Sequence, residues 1–434
     1  MSLSANEREA FVFNVVELFS GIGSQARALQ NIRKDINVVG TCEWDYHAFI
    51  AYDTIHNANG AILPEIQKLN KEELLAQLTP LTLSGDGKAP LPAGFINTFP
   101  VELLKRMLSA IKRSANYVDV CSLKGKDLPD QVDLLTYSFP CQDLSNVGAF
   151  HGYTKGIDRD SGSRSSLLWQ VERMLEERLA DGMTMPRFLL MENVTALLND
   201  RHFKNFQEWI KALQDFGYTS KYFQLNASRL GLPQNRLRLL MLSVYTGKDE
   251  KIEKRIKQFF SKLNESDVIF EYRESPFYKK MDISDLLRIN YEDPKFMNEA
   301  LECNPNDTPS RRKIWEDNPQ IILPGNIINP EISAVATLTT KQDRNPNSGN
   351  LFFDSPLDGR SKFRYLTPRE CFLFMGFKDE DYDVLLSNNL VVKENVQLFT
   401  RDKLIRMAGN SIPVKMLEGI FLQIEKIEKI LGEA

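Results

Sequence analysis

The stretch from Val15 to Trp44 restricts the chain more than any other part. Val15-Val16-Glu17-Leu18-Phe19 is an apolar run of strand length, Ser20-Gly21-Ile22-Gly23-Ser24 is a glycine turn, and Gln25 to Arg33 reads as helix. A second apolar run, Ile36 to Cys42, ends in Glu43-Trp44. Strand, glycine turn, helix, strand and then an acid about 20 residues on is the nucleotide-binding plan of a doubly wound sheet. The glycines let a ligand approach the backbone, and the acid accepts from ribose hydroxyls. An ordinary strand-to-helix turn also carries Gly-x-Gly. What favours the nucleotide reading is Glu43 at the right distance, with Trp44 beside it to stack on an adenine.

Further strands are expected at Asn116 to Cys121, Val132 to Tyr137, Arg187 to Met191 and Leu237 to Tyr245, with helices at Ser165 to Leu179 and Phe203 to Phe216. This alternation predicts an α/β fold, a mostly parallel sheet covered on both faces. With 434 residues the chain exceeds one ordinary core. Residues 1–247 read as one domain with an insertion at about 57–117. Residues 248–354 read as a second, smaller, loop-rich domain. Residues 355–434 then complete the first, ending in a helix from Ile412 to Leu431.

Five widely spaced cysteines without a Cys-x-x-Cys pair argue against a disulfide framework or a zinc site and for a reducing, cytoplasmic compartment. No metal is expected. No apolar run approaches the roughly 20 residues of a membrane span, so no membrane partner is expected either. The net charge of −4 gives no global signal for nucleic acid, but a local basic face would suffice to bind it.

In open sheets of this kind, ligands bind beyond the carboxyl ends of the strands. Cys141 follows one such strand through Ser138-Phe139-Pro140, and Glu192 follows another after Phe188-Leu189-Leu190-Met191. A thiol and a carboxyl group thus converge where the glycine turn would hold a nucleotide-like ligand. A cysteine can equally be a small buried hydrophobe, and a glutamate a helix cap. A thiol protease would need a histidine base, for which His151 and His202 are available. The adjacent nucleotide site points instead to group transfer from an adenosine cofactor.

The segments ELFSGIGS, CEW, SFPCQDLSNVG, MENV, QNRLRLLML and AGNSIP occur in this order, and the set resembles the motifs of the DNA (cytosine-5)-methyltransferase family. The resemblance spans roughly 15–245 and 355–425. It leaves 248–354 where that family keeps its target-recognition domain, beside a Rossmann-like S-adenosylmethionine-dependent catalytic domain.

The resemblance implies that Cys141 adds to carbon 6 of a cytosine, making carbon 5 nucleophilic. Glu192 then matches the acid at ring nitrogen 3, Arg236 the side chain holding the base's carbonyl oxygen, and Arg238 the support of the thiol and its loop. The positions matching the S-adenosylmethionine set are Phe19, Gly21, Ile22, Gly23, Glu43, Trp44, Asp119, Pro140, Asn410 and Ser411. S-adenosylhomocysteine is the implied product. Glu17 stands where the family commonly has aspartate, and Ser24 where many members have a further glycine.

The implied partner is double-stranded DNA, its target base flipped out of the helix. Residues expected to meet DNA are Gln142, Ser145 and Arg164 near the thiol, and Arg311, Arg312, Thr337, Lys341 and Arg344 in the middle region. Thr337-Leu338 resembles the Thr-Leu element that closes the family's recognition domain. A monomer is expected, with any cognate restriction endonuclease acting as a separate protein. An RNA-directed relative and a catalytically silent DNA-binding homologue are the alternatives. The large middle segment speaks against the first, and the intact Cys141, Glu192, Arg236 and Arg238 against the second.

Overall fold

A computed structural model of the chain describes residues 12–140, 157, 164–342 and 348–432. Cys141, Gln142, Ser145 and Arg344 lie outside the described residues, as does the side chain of Arg164. The sheet begins with β1 (Phe13–Leu18) and β2 (Ile36–Cys42), joined through the glycine turn and the helix Ser24–Ile32. It continues with β3 (Leu134–Tyr137), β4 (Phe188–Asn193) and β5 (Tyr218–Asn226). A two-residue β6 (Gln234–Asn235) precedes the long β7 (Leu237–Tyr245). The six sheet strands are ordered β2-β1-β3-β4-β7-β5. β2, β1, β3 and β4 run parallel, while β7 is antiparallel to both its neighbours. β1, β3 and β4 are almost wholly buried, as expected where helices cover both faces.

Register decides which residues share the functional edge. Leu18 pairs with Cys42 and with Tyr137, and Tyr137 with Met191. The residues that follow, Phe19, Glu43, Ser138 and Glu192, therefore lie side by side at one edge. Because β7 runs backwards, its first residues arrive at this same edge, with Glu192 opposite Leu240 and Asn193 opposite Leu239.

Two local expectations are corrected. Asn116 to Cys121 is not a strand: it makes one bridge, Asn116 with Thr41, and then turns with Val118 at φ +65°. The Asn116 side chain supplies what a strand would have, accepting from the Glu43 N–H at 3.0 Å and donating to the Glu43 carbonyl at 3.0 Å. The chain after 248, expected to be loop-rich, opens with two helices, Glu250–Lys262 and Glu265–Arg273. Their Lys/Glu run hides an apolar stripe in which Ile256, Phe260, Val268, Ile269 and Tyr272 are buried. These helices pack on β5 and on the final helix, Val414–Gly432.

Further on, β8 (Gln320–Leu323), β9 (Ile327–Ile328), β11 (Asn350–Phe352) and β12 (Phe363–Arg364) form a small sheet, while β10 (Val335–Ala336) pairs with β6. The final helix returns to the first, with Asn31 donating to Glu418 at 2.7 Å and Arg33 to Glu428 at 3.0 Å. No described helix is long and apolar enough to cross a membrane.

Candidate active site

After β1 the backbone enters the left-handed region at Phe19, Gly21 and Gly23, with φ of +57°, +55° and +81°. Glycine is required at 23, where an added Cβ would lie 2.3 Å from His56 Nε2. At Gly21 the space is open, with nothing within 4 Å of an added Cβ. The carboxylate of Glu43 closes one side of this opening. It accepts the Gly21 N–H at 3.1 Å and the Asp45 N–H at 2.8 Å. Burial and the neighbouring Asp45 raise its carboxyl to about 7. Trp44 beside it is half-buried, while Ile22 is buried and its carbonyl pairs with His56 Nε2 at 2.9 Å. Asp119 turns into its own loop, Oδ1 accepting from the Cys121 N–H at 2.9 Å.

Asn410 and Ser411 end the helix Arg401–Asn410 and reach this turn from the far end of the chain, the Ile412 N–H donating to Ser24 Oγ at 3.3 Å. Asn410 is exposed and Ser411 buried. Gly409 lets the helix touch the 339–340 backbone, since an added Cβ would lie 2.5 Å from Thr339 carbonyl atoms.

Three side chains hold the exit of β3. Ser138 Oγ donates to the Phe19 carbonyl at 3.4 Å, Asn193 Nδ2 to the Phe139 carbonyl at 3.0 Å, and Ser165 Oγ to the Pro140 carbonyl at 2.6 Å. The backbone is therefore anchored up to the residue before Cys141.

Glu192 and Arg238 form an ion pair, Nε to Oε1 at 3.1 Å, with both side chains largely buried. Burial raises the Glu192 carboxyl above the usual carboxylate range, against the pull of Arg238 and then Arg236. Arg238 lies on β7, whereas Arg236 stands before its start. Gln234–Asn235 leaves the main sheet to pair with β10, and Arg236 lies at the break. The guanidinium of Arg236 donates to the carbonyls of Leu338 at 2.9 Å, Gly409 at 3.1 Å and Ser411 at 2.9 Å.

The residues expected to meet DNA divide. Thr337 Oγ1 donates to the Asn235 carbonyl at 2.7 Å, so the segment before Leu338 is stitched to the Arg236 break. Lys341 is exposed nearby in sequence, its carbonyl accepting from Thr339 Oγ1. Arg311 lies over the Tyr365 ring, 5.6 Å from its centroid, and donates to its hydroxyl. Arg312 forms an exposed pair with Asp307 at 2.6 Å. These contacts tie Arg311 to the 355–434 segment and Arg312 to its own.

Asn116, Ser165 and Asn193 were missed as organisers of the site. Asn193 sits inside the quoted MENV segment and Asn116 opens the stretch read as a strand, whereas Ser165 has no local signal. Among the described residues no group of His, Cys, Asp or Glu side chains could hold a metal ion.

Comparison with known proteins identifies the family. The family described as C-5 cytosine-specific DNA methylase matches residues 101–426. Orphan methyltransferase M.SssI of Spiroplasma monobiae is 33% identical, over 98% of this chain and all of the relative. Type II methyltransferase M2.ScrFI of Lactococcus lactis subsp. cremoris is 30% identical, over 96% of this chain and 99% of the relative. The crystal structure of the S. pombe Dnmt2 methyltransferase shares the fold at a TM-score of 0.57 and 18% identity, covering 96% of this chain and 99% of that one. The Entamoeba histolytica methyltransferase EhMeth does so at 0.54 and 15%, covering 97% and 99%. On matches of this length to two relatives and to the family as a whole, the chain belongs to the C-5 cytosine-specific DNA methylases.

Proposed function

We propose that this DNA methyltransferase modifies a flipped cytosine at the edge where β3, β4 and β7 meet, with Cys141 as nucleophile and Glu192 and Arg238 against the base. The Glu192–Arg238 pair carries this reading, because it lies on the row that also holds the anchored exit of β3. Cys141 Sγ adds to carbon 6. Glu192, with its carboxyl raised by burial, holds a proton for ring nitrogen 3 and so relieves the charge that addition creates. S-adenosylmethionine, when bound, supplies the methyl group that carbon 5 receives. Loss of the carbon 5 proton then lets the thiolate leave.

Two roles differ from the sequence reading. Arg236 spends its guanidinium on three backbone carbonyls. We therefore assign the base's carbonyl oxygen to Arg238 and give Arg236 the task of joining chain segments. The residues at the glycine turn fit the cofactor. Gly21 leaves open space, the Glu43 carboxylate borders it as a ribose acceptor, Trp44 offers an aromatic face, and Asn410–Ser411 approach from the opposite end of the chain.

Duplex DNA is the substrate, with base reading assigned to the residues around 304–352, including Thr337 and Lys341, and phosphate contact to Arg164 and Arg344. Gln142 and Ser145 are assigned to the strand near the flipped base. We read the protein as a monomer of the bacterial cytoplasm, with any cognate endonuclease a separate chain. Bisulfite sequencing of duplex DNA incubated with the purified protein and S-adenosylmethionine tests the whole reading. Protected cytosines in one short sequence context, absent with Cys141→Ser, are expected. An unprotected substrate would overturn it.

A further inference from the structure

The helix Arg401–Asn410 grips the two halves of the site at once. At its C-terminal end, the carbonyls of Gly409 and Ser411 are held by Arg236, two residues from the partner of Glu192. One turn earlier, Arg406 Nη2 donates to Asp45 Oδ2 at 2.9 Å and to the Gly85 carbonyl at 3.3 Å. Lys403 Nζ lies 2.5 Å from His47 Nε2, whose other ring nitrogen is 3.1 Å from Asp45 Oδ1.

Asp45 is not a surface charge. It is buried, it caps the helix Tyr46–Asp53 through the His47 N–H, and its own N–H orients the Glu43 carboxylate, which holds the turn at Gly21. The insertion braces the same point. The Ser84 N–H donates to the Trp44 carbonyl at 2.8 Å, and the Ser84 carbonyl accepts from the Tyr46 N–H at 3.0 Å. A loop of the 57–117 insertion thus clasps the backbone on both sides of Asp45.

We propose that Arg406 is a positioning residue for the cofactor: through Asp45 it sets Glu43 and Trp44 against Asn410 and Ser411, with the 84–89 loop of the insertion as the outer brace. This rests on the reading that the cofactor lies across Gly21, Glu43 and Asn410. Arg406 acts through Asp45. Removing it leaves a buried carboxylate without its cation, and Asp45 then shifts toward other donors, taking its backbone N–H, and with it Glu43, out of place.

The test uses the full chain and calorimetric titration with S-adenosylhomocysteine, which needs no turnover. Arg406→Ala is expected to weaken binding about tenfold or more, Arg406→Lys much less, and DNA binding should stay unchanged in both. Asp45→Asn keeps a good helix cap and removes only the charge, so it should weaken binding about as much as Arg406→Ala. The double variant should add little. Steady-state kinetics should show the change in KM for S-adenosylmethionine while kcat is retained, a split that a general loss of folding would not produce. If Arg406→Ala fails to fold, Asp45→Asn and Arg406→Lys decide alone. Undiminished binding by Asp45→Asn, with Glu43→Ala strongly weakened, overturns the role of Arg406. Undiminished binding by Glu43→Ala overturns the placement of the cofactor itself.

Discussion

Arg238 and Glu192 meet diagonally across the antiparallel β4–β7 pair, their charged groups 3.1 Å apart. The arginine opposes burial in setting the Glu192 carboxyl, and burial prevails. If the protonated acid serves ring nitrogen 3, Glu192→Gln should lower kcat by about 10²–10⁴ while leaving cofactor affinity intact. Removing the arginine pushes the carboxyl higher still. The descending alkaline limb of the pH–rate profile should therefore move to higher pH in Arg238→Gln, at reduced overall rate. A limb that stays in place or moves down would separate Glu192 from the proton transfer.

Ser165 is fully buried and its hydroxyl ends on the Pro140 carbonyl at 2.6 Å. Ser165→Ala leaves that carbonyl without this donor, a loss of about 1 kcal/mol in stability. Because the bond fixes the residue preceding Cys141, single-turnover methyl transfer should slow about tenfold. Calorimetry should show unchanged cofactor binding. A rate equal to wild type would make Ser165 a purely structural contact.

Trp44 is half-buried at the rim of the glycine turn. If its indole stacks on adenine, Trp44→Ala should weaken S-adenosylhomocysteine binding by about 1–3 kcal/mol. Trp44→Phe should restore much of it. Equal affinity in all three proteins would make the ring part of the core.

Glu17 lies fully buried in β1, and burial raises its carboxyl to about 8. The folded state then keeps a proton that the unfolded chain releases above its ordinary value of 4.5. Stability is therefore full below that value and is lost as pH rises toward 8. Glu17→Gln should remove up to about 1.4 kcal/mol per pH unit from the slope across this window. Glu43, raised to about 7, leaves a slope that ends earlier. Urea midpoints at pH 5.5 and 8 check it. An unchanged slope would mean that Glu17 does not titrate there.

Target choice should travel with residues 304–352 and not with the whole of 250–350, because the helices at 250–273 pack on β5 and the final helix. A chimera carrying a relative's residues over the shorter range is expected to fold and to protect the relative's site in bisulfite sequencing. Retention of the original site would move recognition elsewhere.

The glycine turn was legible because its geometry is local. Gly23 is dictated by a positive φ and the crowding of His56, and Glu43 follows at a spacing set by one helix and one strand. The Glu192–Arg238 pair was legible only as two residues. Their meeting depends on β7 entering the sheet in reverse, which no local pattern encodes. The setting of Arg236 was hidden for the same reason, since the two residues before it pair with β10 a hundred residues away. The helices after 248 were hidden by charge, their apolar residues being a minority stripe. Arg406 carries no signal at all, being one basic residue on a helix whose partner is 361 positions earlier.

That last separation has a consequence in time. The glycine turn meets a segment 388 positions further on, the Ile412 N–H donating to Ser24 Oγ, with the helix Val414–Gly432 lying against the first helix. A polypeptide emerging from the ribosome can make its glycine turn early, yet that turn lacks its partner segment until residue 412 has been translated. On the proposed placement of the methyl donor, methylation waits for that segment to be made, and a message cut short before residue 401 yields a protein bearing the thiol, the acid and its arginine but no finished place for the donor.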